Sequence, residues 1–372
     1  MNFLIVTHVV HTQKGNDYFA YSPYVNEMNI WLKYVDKVTI IAPLKAVEMD
    51  AIYQKYHHPN IHFITVPEFS FINTTEMIKA VFVMPYILLK LFWAILFANH
   101  IHLRCPGNMG LLGSFVQLFF PWKKKSAKYA GNWDANSKQP LSYRMQKKIL
   151  SSTFLTHRIK VLVYGEWKNQ SKNIKSFFTA TYFDSEIKEV PNKDLNGKIK
   201  FIFVGTLSEG KRPHYAIQLV EELKKLGFEV TLSLYGSGSE QKTLERLIEE
   251  NGLSSYVFLK GNTDRASMIT IYQEAHFMIL PSKSEGWPKV VAEAMFWGCL
   301  PIATQVSCVP TMLDFGKRGI LLTEKKEEDV KLIEAVILNP TAYHNKIDAG
   351  MSWSRNFTID KFESEIQTII RS

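Results

Sequence analysis

With 372 residues, the chain is too long for one ordinary hydrophobic core and suits two domains. Its composition, 46% hydrophobic and 21% charged, is that of a folded soluble protein and excludes a low-complexity or fibrous one. The net charge of +9 is one-sided: residues 1–190 hold 22 Lys+Arg against 12 Asp+Glu, and the remainder 22 against 23. An anionic partner is therefore expected for the first half only.

No repeat of solenoid period occurs. The three cysteines, Cys105, Cys299 and Cys308, are odd in number and form no C-x-x-C pair. That disfavours a disulfide framework and a structural zinc site, and favours a reducing cytosol. The sequence opens without a basic leader and runs straight into an apolar strand, so no signal peptide is expected.

In chain order, residues 3–7, 37–42, 61–66, 101–104, 126–129 and 161–164 read as strands, with a helix near 24–34. A second series begins at Lys200, with strands near 200–204, 229–235, 256–259, 276–280 and 300–303. Helices fit at 215–226 and 240–251. This alternation predicts parallel βαβ units in two doubly wound domains. The junction is expected in the proline-bearing stretch 190–194, giving domains 1–192 and 193–355. The segment 77–98 is almost continuously apolar, but Lys90 falls mid-run at a cost of roughly 2.5–3.5 kcal/mol for insertion. A buried or interfacial helix is expected there, in preference to a spanning one. The basic run Lys123-Lys124-Lys125, followed by Lys128, Arg144, Lys147 and Lys148, adds an anionic membrane surface as an expected partner. No helix-turn-helix or RNP-like pattern supports nucleic acid.

The most informative stretch is Pro281-Ser282-Lys283-Ser284-Glu285-Gly286-Trp287-Pro288, continuing through Glu293-Ala294-Met295. It lies between a strand and a helix, at the strand end where open α/β sheets bind ligands. Pro288 suits a first helical position. The loop amides of Gly286 and Trp287 and the helix dipole can face an anion such as a diphosphate. Glu285 can accept hydrogen bonds from sugar hydroxyls, and Glu293 from a ribose diol, although acidic residues also cap helix first turns.

Two glutamates eight positions apart in this setting resemble the signature of family 4 glycosyltransferases. Three further runs follow in that family's order: Phe201 through Gly205-Thr206-Leu207 with Lys211-Arg212-Pro213, then Leu234-Tyr235-Gly236-Ser237-Gly238, then Phe258-Leu259-Lys260-Gly261 with Asn262. The resemblance implies the GT-B fold: two Rossmann-like domains facing a cleft, with a C-terminal helix at 356–372 crossing back to the first. It implies retaining transfer from a nucleotide-diphosphate sugar, UDP- or GDP-linked, with no other cofactor and no metal. Glu285 and Lys211 are the implied catalytic residues. Gly205, Thr206, Arg212, Gly236, Gly261, Asn262, Gly286, Trp287, Pro288 and Glu293 join them in donor binding. The chain departs from the pattern at Thr206, where the family places an arginine. It departs again at Tyr129-Ala130-Gly131-Asn132-Trp133-Asp134, where a histidine is usual and Asn132, Asp134 or a backbone carbonyl stands instead. In the first domain Gly15 is the counterpart of a glycine-rich donor loop, and Arg104 is a candidate partner for an acceptor phosphate or an ion-pair residue. The expected function is hexose transfer to a glycan or lipid-linked acceptor in cell-envelope synthesis, in the cytoplasm and peripheral at the inner membrane face. The rival readings are a nucleotide-sugar 2-epimerase and a non-catalytic binding protein of the same fold.

Overall fold

The computed structural model describes residues 1–46, 52–70 and 74–371, with the side chains of residues 74 and 75 left out. The chain divides into two compact units, Met1–Phe178 with Lys361–Ser372, and Thr179–Asp360.

In the first unit the elements run β1 Asn2–Val6, β2 Thr12–Lys14, β3 Asp17–Tyr21, α1 Ser22–Leu32, β4 Lys37–Ala42, β5 Tyr53–Lys55 and β6 Ile61–Thr65. They continue through α2 Thr74–Phe97, β7 His100–Cys105, α3 Asn108–Val116, β8 Lys124–Tyr129, α4 Leu141–Ser151, β9 Ile159–Tyr164 and β10 Ile174–Phe177. Seven strands form one parallel sheet in the order β10-β9-β8-β7-β1-β4-β6. A sheet of this kind is covered on both faces, which is why Phe3, Leu4, Ile5 and Val6 of β1 are all fully buried.

Residues 8–23, between the predicted strand and helix and expected to hold a glycine-rich loop around Gly15, contain the β2–β3 hairpin instead, and β5 pairs with β3. Gly15 turns this hairpin at φ +59°, with open space around it. Its left-handed conformation serves the turn of the hairpin.

Helix α2 lays Ala80, Ile87, Leu91 and Ile95 into the first core. Its other side leaves Ile78, Val81, Phe82, Leu89, Trp93 and Phe97 exposed. Only 28% of its most apolar 18-residue window is buried. Lys90 does not face outward with them: its ammonium donates to the Thr65 carbonyl at 2.8 Å, at the end of β6.

The second unit runs β11 Ile199–Val204, α5 Pro213–Lys225, β12 Val230–Tyr235, α6 Gln241–Glu250, β13 Val257–Gly261, α7 Arg265–Glu274, β14 Phe277–Leu280 and α8 Lys289–Phe296. It ends with β15 Leu300–Thr304, α9 Val309–Met312, β16 Ile320–Leu322, α10 Lys326–Ile337, α11 Pro340–Ser354 and the start of α12 Ile359–Arg371. Its six strands are parallel in the order β13-β12-β11-β14-β15-β16, so the winding reverses between β11 and β14. From Lys361 onward α12 belongs to the first unit, where Phe362 meets the rings of Phe177 and Phe178 and Glu363 accepts from Lys33 and Tyr34.

The division thus falls at Phe178/Thr179, and the stretch 179–192, placed by sequence in the first domain, clusters with the second unit. In the stretch 190–194, Pro191, Asn192 and Asp194 are exposed but Lys193 is not. Lys193 is buried and its ammonium donates to the carbonyls of Tyr272, Ala275 and Gly298, at the ends of α7 and α8. Burial pushes its pKa down to about 8. Three oriented carbonyls compensate a charge whose burial uncompensated costs several kcal/mol.

The first unit also buries three histidines that must stay neutral. Burial lowers His11 to about 4 despite the Val9 carbonyl, and lowers His100 to about 4 with Lys124 and Lys160 adding to it. His102 is held well below 6.5 by burial first, then by His100 and nearby cations. The unfolded chain takes up these protons near pH 6.5, whereas in the folded one His11 and His100 do so only near 4 and His102 well below 6.5. Their contribution to stability is therefore complete above pH 6.5 and is lost as pH falls through that window, at about 1.4 kcal/mol per pH unit for each histidine. Thermal unfolding followed from pH 7 to 4.5 should show a steady fall beginning below 6.5, made shallower by His102→Gln. A profile flat to pH 5 would contradict the burial of neutral imidazoles.

Candidate functional site

The reversal of strand order between β11 and β14 gathers the sequence candidates of the second unit at one edge. Gly205 follows β11, Gly236 follows β12, Gly261 ends β13, and residues 281–288 follow β14, all at carboxyl ends. Such a switch point opens a crevice because the two flanking loops leave the sheet in opposite directions.

The loops are knitted together by backbone hydrogen bonds: Gly205 N–H to Tyr235 O, Leu207 N–H to Ser237 O, Gly236 N–H to Gly261 O and Lys283 N–H to Gly210 O. Gly236 lies at φ +137°, and a Cβ there would fall 1.9 Å from the Gly205 carbonyl oxygen. Only glycine permits this approach, so the G-S-G run serves a backbone contact. Asn262 continues directly from Gly261.

At the centre, Lys211 Nζ lies 2.5 Å from Glu285 Oε1. The Glu285 side chain is 8% exposed and that of Lys211 30%. Lys211 sits in the loop between β11 and α5, and Glu285 in the loop between β14 and α8, 74 residues apart in sequence. Arg212, which caps α5 at φ +54°, pairs with Glu324 at 2.5 Å and stacks over Tyr215 at 4.7 Å. Its guanidinium is thus held by a half-exposed carboxylate.

Gly286 presents its carbonyl to Ser307 Oγ at 3.3 Å and Cys308 Sγ at 3.0 Å, while Trp287 lies against Trp353 and Phe357. Both residues therefore shape the loop through atoms other than their amides. Pro288 is the N-cap of α8 and Lys289 its first residue, one position later than the sequence suggested. Glu293, in the second turn of α8, accepts from Thr181 Oγ1 at 2.7 Å and from Tyr272 OH at 3.1 Å. Burial, with the Glu293 charge next in weight, raises the Tyr272 phenol well above its ordinary pKa, so it stays a donor. Each carboxylate oxygen retains a lone pair for a further donor. Thr181 and Tyr272 carried no sequence signal, being 112 and 21 residues from Glu293.

In the first unit the carboxyl ends of β1, β4, β6 and β7 surround a cavity of about 560 Å³. His8, Glu68, Phe69, Asn108 and Tyr143 line it, with Glu76 from the first turn of α2. Arg104 is not available to an acceptor phosphate. Its guanidinium pairs with Glu27 Oε1 at 2.9 Å, while Lys128 takes Glu27 Oε2 at 2.7 Å, all three nearly buried. Asn132 and Asp134 accept hydrogen bonds from backbone amides two residues ahead and so shape their own loop.

Residues 184–353 match the family model of glycosyl transferases group 1. An uncharacterized glycosyltransferase of Haemophilus influenzae is 30% identical over 171 residues, 45% of this chain and 47% of that protein. A D-inositol 3-phosphate glycosyltransferase of Corynebacterium urealyticum is 34% identical over 128 residues, 32% of this chain and 30% of that protein. The matches thus span less than half the length of these curated relatives. Among solved structures, Anabaena Alr3699/HepE in complex with UDP-glucose superposes with a TM-score of 0.68 at 15% identity, covering 100% of this chain and 99% of that one. The fold is that of the GT-B glycosyltransferases, with two Rossmann-like domains, as the alternating elements predicted. Residues 184–353 are thus similar to the glycosyl transferases group 1 family, and the whole chain shares its fold with the solved glycosyltransferase structures.

Proposed function

We propose that the chain is a glycosyltransferase. It moves a hexose from a UDP- or GDP-linked donor to a glycan or lipid-linked acceptor of cell-envelope polysaccharide or glycolipid synthesis, with retention at the anomeric carbon. The observation that carries this reading is the Lys211–Glu285 pair at the β11/β14 switch point.

In this reading the donor diphosphate lies against Lys211, with Arg212 beside it and the amino end of α8 facing it. The ammonium meets the charge that grows on the diphosphate as the bond from the anomeric carbon to its phosphate oxygen breaks. The acceptor oxygen bonds the same carbon from the same face, and its proton leaves with the diphosphate. Glu285 accepts from hydroxyls of the sugar, and Glu293 takes the ribose diol while Thr181 and Tyr272 hold its carboxylate in place. These cations and amides meet the diphosphate charge without a divalent ion. The cavity of the first unit receives the acceptor. Helix α2, apolar on its exposed side and flanked by the basic run 123–125, lies on the surface of an anionic membrane at the cytoplasmic face.

Transfer measured with a panel of nucleotide sugars, in EDTA throughout, tests the donor side. Wild type should turn over a UDP- or GDP-sugar in EDTA. Glu285→Ala, folded by circular dichroism, should lose about 30- to 1,000-fold, equivalent to about 2–4 kcal/mol. Activity within threefold of wild type would remove Glu285 from the mechanism, and activity restored only by added Mg²⁺ or Mn²⁺ would remove the metal-free arrangement. Glu293→Gln should instead weaken free-nucleotide affinity by about 10- to 100-fold, with a smaller effect on turnover, because a ribose contact is made alike in ground and transition states. Unchanged calorimetric affinity would leave Glu293 as a helix residue held by Thr181 and Tyr272.

A further inference from the structure

The opposite, amino-terminal edge of the first sheet holds another concavity, of about 380 Å³, which the reaction above does not use. Its wall is built where β7, β8 and β9 begin: His100, Lys124, Lys125 and Lys160, with Arg158 and Lys172 from the adjoining loops. Of its ten lining residues five are Lys or Arg and none is acidic. The excess is regional, since residues 101–178 contain fourteen Lys+Arg and two Asp+Glu.

The contacts of Lys124, Lys125 and Arg158 leave their charge in place. Lys125 Nζ donates to the carbonyl and side-chain oxygens of Gln117, Lys124 Nζ to the carbonyl of Arg371, and Arg158 Nη1 to the carbonyl of Trp122. All these acceptors are uncharged. The mutual field is felt at Lys160, whose pKa is lowered by burial, then by Lys175 and Lys124. A cavity lined by cations and no carboxylates is matched by a group with several anionic oxygens, such as a phosphate ester.

What surrounds the cavity gives the source of that phosphate. Arg158 holds the backbone of Trp122, whose side chain is 59% exposed. Beyond the lining residue Thr153, Phe154 is 84% exposed. Lys123 donates to the Leu96 and Ala98 carbonyls and so ties this rim to the end of α2, where Phe97 is 69% exposed. Exposed aromatic and apolar groups ringing a cationic cavity is the arrangement suited to the boundary between headgroups and acyl chains.

We propose that this cavity binds the phosphate of an anionic phospholipid headgroup and pins the first unit to the bilayer at the end of α2 remote from the acceptor cavity. The inference rests on the membrane reading of α2. That helix, at 1.5 Å per residue, is about 36 Å long. It runs from the acceptor cavity, which Glu76 lines, to the rim of the cationic one. A headgroup held here sets the helix along the membrane plane and turns the acceptor cavity toward a lipid-borne substrate.

Flotation with vesicles of phosphatidylcholine alone, and of phosphatidylcholine with 30% phosphatidylglycerol, tests this on the full chain in about 0.1 M salt. The variant is K124Q/R158Q/K172Q, and K14Q/K138Q/K168Q removes the same charge elsewhere on the first unit. Nucleotide affinity and the thermal midpoint of both are compared with wild type to certify folding. Each basic group at an anionic surface contributes about fivefold. The cavity variant should therefore bind the anionic vesicles about 100-fold more weakly, and the control variant less than about fivefold more weakly. Equal losses in the two variants would overturn the cavity and leave diffuse attraction to the membrane. Wild type that fails to bind anionic vesicles overturns the membrane reading and this inference with it. In that case, calorimetric binding of sn-glycerol 3-phosphate, abolished in the cavity variant, would assign the cavity to a soluble phosphate instead.

Discussion

The candidate site depends on one reversal of winding. Because β11 and β14 are adjacent strands whose connections leave in opposite directions, Lys211 and Glu285 meet across a gap of 74 residues at 2.5 Å. A carboxylate with 8% of its side chain exposed is expensive to keep ionised without a partner, and the ammonium supplies one. In the proposed mechanism the pair is exchangeable, since a diphosphate would offer Lys211 more negative charge than a single carboxylate does. Glu285 would then hold the lysine in position before the donor arrives and be released toward the sugar when it does. Backbone hydrogen bonds among the β11, β12 and β13 loops, and the Gly236–Gly205 approach, hold the frame in which that exchange takes place.

The first unit obeys a different constraint. Its sheet is a fully covered parallel one, yet the helix over one face is apolar on both sides. Helix α2 spends its inner stripe on the core and leaves Phe82, Leu89, Trp93 and Phe97 outside. A globular protein without a use for such a surface would have placed charges there. The same unit concentrates basic residues at the amino ends of β8 and β9 and buries the Arg104–Glu27–Lys128 cluster beside α12. In the proposed membrane reading, the apolar area and positive charge at one end of α2 and the cavity at its other end would face one charged bilayer.

Much of this was legible in the sequence. Every strand of the two sheets except the edge strands β10 and β16, which are short and are not read from the sequence, emerges from an apolar run bounded by turn residues, and the two glutamates announce themselves through Gly286 and Pro288. Legibility fails where the partner is remote or the local chemistry is ambiguous. Lys193 sits in a polar, proline-bearing stretch and looks solvated, although three carbonyls gathered by the fold bury it. Lys90 looks like an interruption of an apolar helix, although it reaches back to the edge of β6. The β2–β3 hairpin hides in residues 8–23 because its strands are short and mixed in polarity. Thr181 and Tyr272 acquire meaning only when α8 brings Glu293 to them. The cationic cavity needs three strand starts aligned side by side, which no local pattern encodes.

The central claim is that Glu285 and Lys211 act as one exchangeable pair. A double-mutant cycle of Lys211→Met and Glu285→Gln, read by calorimetry as affinity for free UDP and GDP, measures it directly. With Lys211 present, removing the Glu285 charge should tighten binding of the nucleoside diphosphate, because the ammonium no longer has to leave a partner. With Lys211 absent the same change should do little, giving a coupling of about 1–3 kcal/mol. An effect of Glu285→Gln that is the same in both backgrounds, within about 0.5 kcal/mol, would contradict the account.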